Sequence, residues 1–255
     1  MASDWLEGRH AVITGGGTGI GASTAAHLHA AGAKVSLLGR RLEPLQEMAG
    51  RVGGAAIQCD VTDRDSIAAA FGAARAANGP IEMLVVNAGV ADSAPFARTT
   101  REQWDRMIAT NLTGAFDTVQ AALPDLLQSP HGRIVFVASV AGLRAAAYAA
   151  PYAASKHGVV GLMRSLAEEF AKSSMTVNAV CPSFVDTAMT QETVERIARV
   201  TARDEDQSRA TIAAMNKHGR LVHPDSVATM IVTLCLPQSQ DVNGAAIAID
   251  GGTSA

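Results

Sequence analysis

Short apolar runs alternate along the chain with longer segments of helical periodicity. The runs at 10–13, 34–38, 55–58, 83–86, 132–138, 176–180 and 245–249 are rich in Val, Ile, Leu and Ala and read as strands. Between them, segments 20–31, 42–51, 64–77, 101–127, 153–173 and 224–234 repeat apolar residues at helical spacing. Strands that are apolar throughout, separated by helices, imply a parallel sheet covered on both faces and joined by right-handed crossovers. The expected fold class is α/β: one Rossmann-type, doubly wound parallel sheet of about seven strands within a single domain spanning 1–255. Residues 188–220 break the rhythm. They are charged, helix-prone and without a strand, late in the chain where such a fold presents its substrate edge. They read as a substrate lid, with a surface helical excursion as the alternative.

Composition narrows the classes of function. The chain has 255 residues, 48% of them hydrophobic, which suffices for one sizeable core. A net charge of −3 offers no basic excess for nucleic acid. The three cysteines, Cys59, Cys181 and Cys235, are widely spaced and form no CxxC pair, so neither a disulfide framework nor a zinc site is expected. The histidines show no metal-ligand spacing. Charges interrupt the first residues, Met1 to Arg9, where a signal peptide needs an apolar stretch. No apolar run is long enough to span a membrane. A soluble cytoplasmic protein acting on a small molecule is the expectation.

The first predicted strand runs into Thr14-Gly-Gly-Gly-Thr-Gly-Ile-Gly21, and a helix follows. Gly15, Gly17, Gly19 and Gly21, with Thr18 and Ile20, form a turn whose backbone can approach a pyrophosphate, and the helix start offers it free N–H groups. The spacing is wider than GxGxxG, and no GxxxxGK[ST] is present. At the end of the second strand, where NAD-binding folds place a carboxylate, stand Arg40 and Arg41. A carboxylate would repel a ribose 2′-phosphate, whereas arginine grips it, so NADP(H) is favoured over NAD(H). The alternative is that both arginines are solvated charges opening a helix.

Tyr152 and Lys156 lie one helical turn apart, on one face. A neighbouring cation, together with a positive nicotinamide ring, favours phenolate and lowers the phenol's pKa, so that it can pass a proton to or from a substrate oxygen. Tyr148 has no such partner. Ser139 closes the strand at 132–138 and can polarise a carbonyl, or simply cap the next turn. No GxSxG elbow surrounds it, which disfavours an acyl hydrolase.

Taken together, the chain resembles the short-chain dehydrogenases/reductases over nearly its whole length. The resemblance rests on the glycine turn, Cys59-Asp60-Val61, Asn87-Ala88-Gly89, Asn111, Ser139, Tyr152-x3-Lys156, Pro182 to Thr187 and Asp250-Gly251-Gly252. It implies that Asp60 and Val61 meet the adenine, and that Asn87, Ala88 and Gly89 lie beside the adenine ribose and buttress the sheet. It further implies that Asn111 bends its helix and holds a relay water, and that Lys156 bonds the nicotinamide ribose. Pro182, Val185 and Thr187 fall in the segment that holds the carboxamide. Three departures stand out: Val86 replaces an asparagine, Ser183 a glycine, and Thr18 sits where NADP-preferring members are often basic.

Within the family, residues 150–161 and 176–182 look most like β-ketoacyl thioester reductases, aromatic polyketide ketoreductases above all. The resemblance therefore implies a 3-oxoacyl thioester or cyclic β-keto substrate, with an NAD-dependent 3-hydroxyacyl-CoA or ring-alcohol dehydrogenase as the alternative. It also implies a homotetramer, or a homodimer, built on the long helices. A non-catalytic dinucleotide sensor on the same fold is the competing class, disfavoured by the complete set Asn111, Ser139, Tyr152 and Lys156.

Overall fold

The computed structural model describes residues 5–201 and 204–254, without the side chains of Val200 and Thr201; Met1 to Asp4 of the N-terminal reading, and 202–203 of the predicted lid, lie outside it. Seven strands form one parallel sheet: β1 His10–Thr14, β2 Lys34–Gly39, β3 Ala55–Gln58, β4 Met83–Val86, β5 Arg133–Val137, β6 Thr176–Pro182 and β7 Ala246–Ile249. Their order is β3-β2-β1-β4-β5-β6-β7, so the winding reverses between β1 and β4. A doubly wound sheet binds its ligands at such a reversal, beyond the carboxyl ends of the strands.

Each strand contributes to two cores because successive side chains point to opposite faces. Val12, Leu84, Val86, Ile134 and Phe136 face one core, packed under α3 (Arg64–Asn78), α5 (Gly114–Gln128) and α6 (Ala150–Glu169). Ala11, Ile13, Val85, Val135 and Val137 face the other, under α1 (Gly19–Ala30), α2 (Leu42–Val52) and α9 (Pro224–Cys235). Burial on both faces explains why the strands read as unbroken apolar runs.

Helix starts follow local chemistry. Asp63 caps α3 by accepting from the Asp65 and Ser66 amides, and Thr100 and Gln103 form a reciprocal capping box at α4, Arg101–Ile108. His223 caps α9, with Pro224 in its first turn.

Two helix expectations need correction, and the segment after β6 gains detail. The helix expected at 101–127 is interrupted: a π-helical turn at Ala109–Thr113 separates α4 from α5. It carries Asn111, whose amide is drawn out of the helix face towards a neighbouring loop, a tertiary demand that periodicity does not encode. The helix expected at 153–173 is α6, which starts at Ala150, so Tyr152 stands in its first turn beside Pro151. The segment 188–220 contains two helices, α7 Ala188–Thr201 and α8 Glu205–Ala214, which pack chiefly on each other.

No helix among the described residues is long and apolar enough to cross a membrane. Phe136 is fully buried at the centre of the sheet. Phe136→Ala is expected to cost about 3–5 kcal/mol, read as a lowered denaturant midpoint with little change in m-value.

Candidate active site

The ends of β1 and β4 are tied together before any functional group is placed. The Thr14 hydroxyl oxygen accepts from the amides of Asn87 and Ala88, both at 3.0 Å. The Asn87 side-chain amide donates to the carbonyls of Thr14 and Gly15, at 2.9 and 3.1 Å. These bonds span the reversal of strand order and leave residues 88–90 leading into the cleft. Asn87 thus has the buttressing contacts expected of it.

The glycine turn is shaped by close approach. A Cβ on Gly21 would stand 2.2 Å from the Gly15 carbonyl oxygen, and one on Gly15, at φ +67, 2.8 Å from the Asn87 side-chain nitrogen. Only glycine fits both positions. Helix α1 starts at Gly19; its N-cap Thr18 makes no side-chain cap and its first turn holds no acid. Its amides are therefore directed at the turn without a competing protein anion. Thr187 lies against the same turn, its methyl 3.1 Å from where a Gly19 Cβ would be. The turn has the form of a cradle for a dinucleotide pyrophosphate, and the residues present fit that group.

The other residues expected at the cofactor lie around the cradle. Arg40 and Arg41 are exposed just past β2, and the Gln58 side chain donates to the Arg40 carbonyl at 3.0 Å. The Asp60 carboxylate accepts from the Thr62 amide and hydroxyl at 2.9 and 2.7 Å, which holds its pKa below the usual carboxylate range. Val61 beside it is buried. Gly89 passes the Asn111 and Lys156 side chains, with Asn111 Oδ1 3.2 Å from its Cβ position. Pro182 ends β6, and the carbonyl of buried Val185 accepts from the Thr190 hydroxyl at 2.6 Å, seating the start of α7.

The chemistry-bearing side chains converge beyond β5 and β6. Ser139 is buried; its hydroxyl oxygen accepts from the Ala141 amide at 3.1 Å, capping a short 3-10 turn, and the hydroxyl donates to the Pro182 carbonyl at 3.4 Å, on the side of the Tyr152 phenol. Of the two roles considered for Ser139, the cap on the next turn is present. Lys156 is 6% exposed, its Nζ 5.8 Å from the centroid of the Tyr152 ring and donating to the Val137 carbonyl at 2.8 Å. Tyr148, by contrast, is exposed and carries a left-handed φ of 62, well away from such a pairing.

Electrostatics here differ from the expectation of an acidified phenol. Burial pushes the Tyr152 phenol above its ordinary pKa, only partly opposed by the Ser139 hydroxyl beside it. Burial also brings the Lys156 ammonium down to about 8. In the protein alone, desolvation holds the phenol in its protonated form.

Asn111 is 2% exposed and lies behind the pair. Its Oδ1 accepts from the Val90 amide at 2.8 Å, and its Nδ2 donates to the Val90 carbonyl at 2.9 Å and to Ser155 Oγ at 3.0 Å. Ser155 in turn donates to the Tyr152 carbonyl at 2.7 Å. Ser155 lies inside the Tyr152-x3-Lys156 motif, but spacing gave it no role. Asn216, also unforeseen, is fully buried and donates to the carbonyls of Phe184 and Arg220, while the Ser183 hydroxyl donates to its side-chain oxygen. The residue that replaces a glycine at 183 thus fastens the loop after β6 to the end of α8.

A parallel sheet with a phosphate-shaped turn at its reversal, beside a gathered serine, tyrosine and lysine, defines a dinucleotide-dependent oxidoreductase. The family described as short chain dehydrogenase matches residues 9–198, and the chain belongs to that family. It is 36% identical over 244 residues to the 3-oxoacyl-acyl-carrier-protein reductase MabA of Mycobacterium tuberculosis, covering 96% of this chain and 92% of that protein. It is 35% identical over 249 residues to a putative ketoacyl reductase of Streptomyces coelicolor, covering 95% of each. Among solved structures, a variant of actinorhodin polyketide ketoreductase with NADPH superposes with a TM-score of 0.93 at 34% identity, covering 99% of both chains. Levodione reductase does so with a TM-score of 0.92 at 29% identity, covering 98% of this chain and 99% of that one. The chain is an oxidoreductase that interconverts secondary alcohols and ketones.

Burial of Lys156 carries a stability cost with a defined sign. Its folded pKa, about 8, lies below the ordinary 10.5, so the penalty is complete below pH 8 and vanishes as pH rises towards 10.5. Lys156→Met is expected to exceed the wild type in stability at pH 7 by about 1–2 kcal/mol, allowing for the Val137 carbonyl left bare. The gap should narrow as pH rises. Paired denaturant titrations near pH 7 and near pH 10 measure it.

Proposed function

We propose that this protein is an NADP(H)-dependent ketoreductase that reduces a 3-oxoacyl thioester or a cyclic β-keto substrate to the secondary alcohol. The observation that carries the reading is the gathering of buried Ser139 and Lys156 with half-buried Tyr152 beyond the strand ends, where desolvation holds the phenol in its protonated form. A protonated phenol is a donor, which is what ketone reduction needs. The names of the relatives support the substrate class: one reduces 3-oxoacyl groups on a carrier protein, another a polyketide.

The bound dinucleotide supplies the hydride. The chain's own residues do the rest. Ser139 donates to the substrate carbonyl oxygen and polarises it. Tyr152 delivers a proton to that oxygen as negative charge develops there, and the Lys156 ammonium beside the ring favours the phenolate left behind. Asn111, through Ser155, fixes the first turn of α6 on which Tyr152 stands. In this reading the turn from Gly15 to Gly21 holds the pyrophosphate, and Asp60 and Val61 meet the adenine. Asn87, Ala88 and Gly89 line its ribose, Pro182, Val185 and Thr187 the carboxamide, and Lys156 the nicotinamide ribose. Arg40 and Arg41, exposed where a carboxylate would exclude it, take the 2′-phosphate. The nearest rival is NAD-dependent oxidation of a ring alcohol, favoured by the uncharged Thr18 at the start of α1.

In the same reading α7 and α8 are a lid over the substrate, and the chain forms a homotetramer, or a homodimer, through its long helices. Trp104, Phe116 and Leu127, on α4 and α5, remain 38–43% exposed, an apolar surface suited to another copy. Three free, buried cysteines suit the reducing cytoplasm.

Two measurements test the assignment. Tyr152→Phe is expected to lower kcat for ketone reduction by at least about 100-fold while NADPH still binds. Retention of more than a tenth of wild-type rate removes Tyr152 from its role. Replacing Arg40 and Arg41 together by alanine is expected to raise KM for NADPH by about 10- to 100-fold and leave KM for NADH within about twofold. Equal effects on the two cofactors reject the 2′-phosphate assignment.

A further inference from the structure

The two helices after β6 are attached to the body in an uneven way. At their base the attachment is dense. Asn216 bonds the carbonyls of Phe184 and Arg220, Thr190 bonds the Val185 carbonyl, and Arg209 on α8 pairs with Asp186 at 2.7 Å. Further out, α7 reaches across to the opposite wall of the cleft. There the Arg196 guanidinium forms an ion pair with Asp92, in the segment between β4 and α4.

Asp92 is built as a junction. One carboxylate oxygen accepts from the Ser93 amide at 2.8 Å and from Arg196 Nη1. The other accepts from Arg106 Nη2 on α4 at 2.8 Å and from the Gln103 side-chain amide at 3.3 Å. Gln103 is itself held in the α4 capping box. Asp92 and Arg196 are only 21% and 30% exposed, so their attraction is less screened than that of a surface pair. Arg196 Nη2 also touches the Thr193 hydroxyl at 3.4 Å, which aims the guanidinium, while its Nε is buried and makes no hydrogen bond. An orphaned buried donor is a cost that the pairing with Asp92 must outweigh for α7 to stay down.

The wall that Asp92 occupies is continuous with the active site. Two residues before it, Val90 is bonded to Asn111, which leads through Ser155 to Tyr152. Two residues after it, the Ala94 amide donates to the carbonyl of Tyr148 at 2.8 Å, four residues before Tyr152. Residues 90–94 therefore form one side of the cleft mouth and α7 the other, with Asp92–Arg196 bridging them.

We propose that Asp92 and Arg196 form a latch that holds α7 closed over the substrate cleft, with Arg106 anchoring Asp92 to the body. Both are positioning residues: neither touches the reacting atoms, and they act by setting how often the cleft is covered. The proposal rests on the reductase reading above. It predicts that breaking the pair weakens productive substrate binding without disturbing cofactor binding or proton transfer, because the trio and the glycine turn lie on the rigid strand ends.

The test uses Arg196→Met, which keeps the aliphatic stem, Asp92→Asn, which keeps the loop hydrogen bonds, and the double variant. Amide hydrogen exchange over residues 188–201 is expected to speed up in all three, with exchange in α6 unchanged. The KM for a β-keto thioester is expected to rise about tenfold in each single variant, with kcat and the Kd for NADPH within about twofold. The double variant is expected to be no worse than either single one, the signature of one shared interaction. Unchanged exchange over 188–201, or additive effects in the double variant, overturns the latch. So does loss of NADPH binding in step with KM, which marks a general support role. If the wild type reduces none of the ketones offered, the reductase reading falls while the exchange measurement still decides the latch.

Discussion

Four hydrogen bonds between the ends of β1 and β4 set the geometry on which everything else stands. A parallel sheet whose winding reverses has a gap at the reversal, since the connections leave in opposite directions there. Thr14 and Asn87 span that gap, satisfying two backbone amides and two carbonyls that would otherwise be orphaned at the strand ends. The glycine turn can then fold tightly on one side while residues 88–94 run out on the other. Asn111 hangs from the second of these through Val90, and the start of α6 hangs from Asn111 through Ser155. The glycine turn and the helix that carries Tyr152 are thereby placed by one continuous set of bonds.

The electrostatics of the site follow from burial. A lysine and a tyrosine one turn apart invite the view that the cation acidifies the phenol. Here the pair is sunk at the ends of β5 and β6, where desolvation disfavours both charged forms. The phenol rises and the ammonium falls to about 8. The resting arrangement is a neutral donor beside a cation that is itself easily deprotonated, suited to giving a proton away and recovering it. The Val137 carbonyl accepts from the Lys156 ammonium and holds it beside the ring.

Much of this was legible in the order of residues, for identifiable reasons. The central strands announced themselves because both faces of each are buried, leaving few polar positions to blur the run. The glycine turn, Tyr152 with Lys156, and Ser139 at a strand end were readable because each obeys a local rule of spacing or position. What escaped depends on contacts between distant segments. The π-turn at Ala109–Thr113 exists because Asn111 must reach Val90, and nothing in the local apolar pattern encodes that. Asn216 looks like an ordinary loop asparagine until it is found fully buried beneath the loop after β6. Asp92 and Arg196 stand 104 positions apart, and no periodicity links them. The sign of the Tyr152 shift was missed for the same reason: spacing reveals a neighbour, but not how much water the fold removes.

The same division of labour separates what must be rigid from what must move. The groups assigned to proton transfer hang from a sheet buried on both faces, so opening them means breaking close-packed contacts. The α7–α8 pair packs mainly on itself and meets the far wall through a charge pair, whose attraction is directional and modest. In the proposed latch, a substrate enters and leaves by breaking one polar contact while the site's geometry stays intact. Had α7 been fixed to that wall by an apolar core instead, each exchange of substrate would expose buried carbon to water, and the cleft would open at the expense of the fold that defines it.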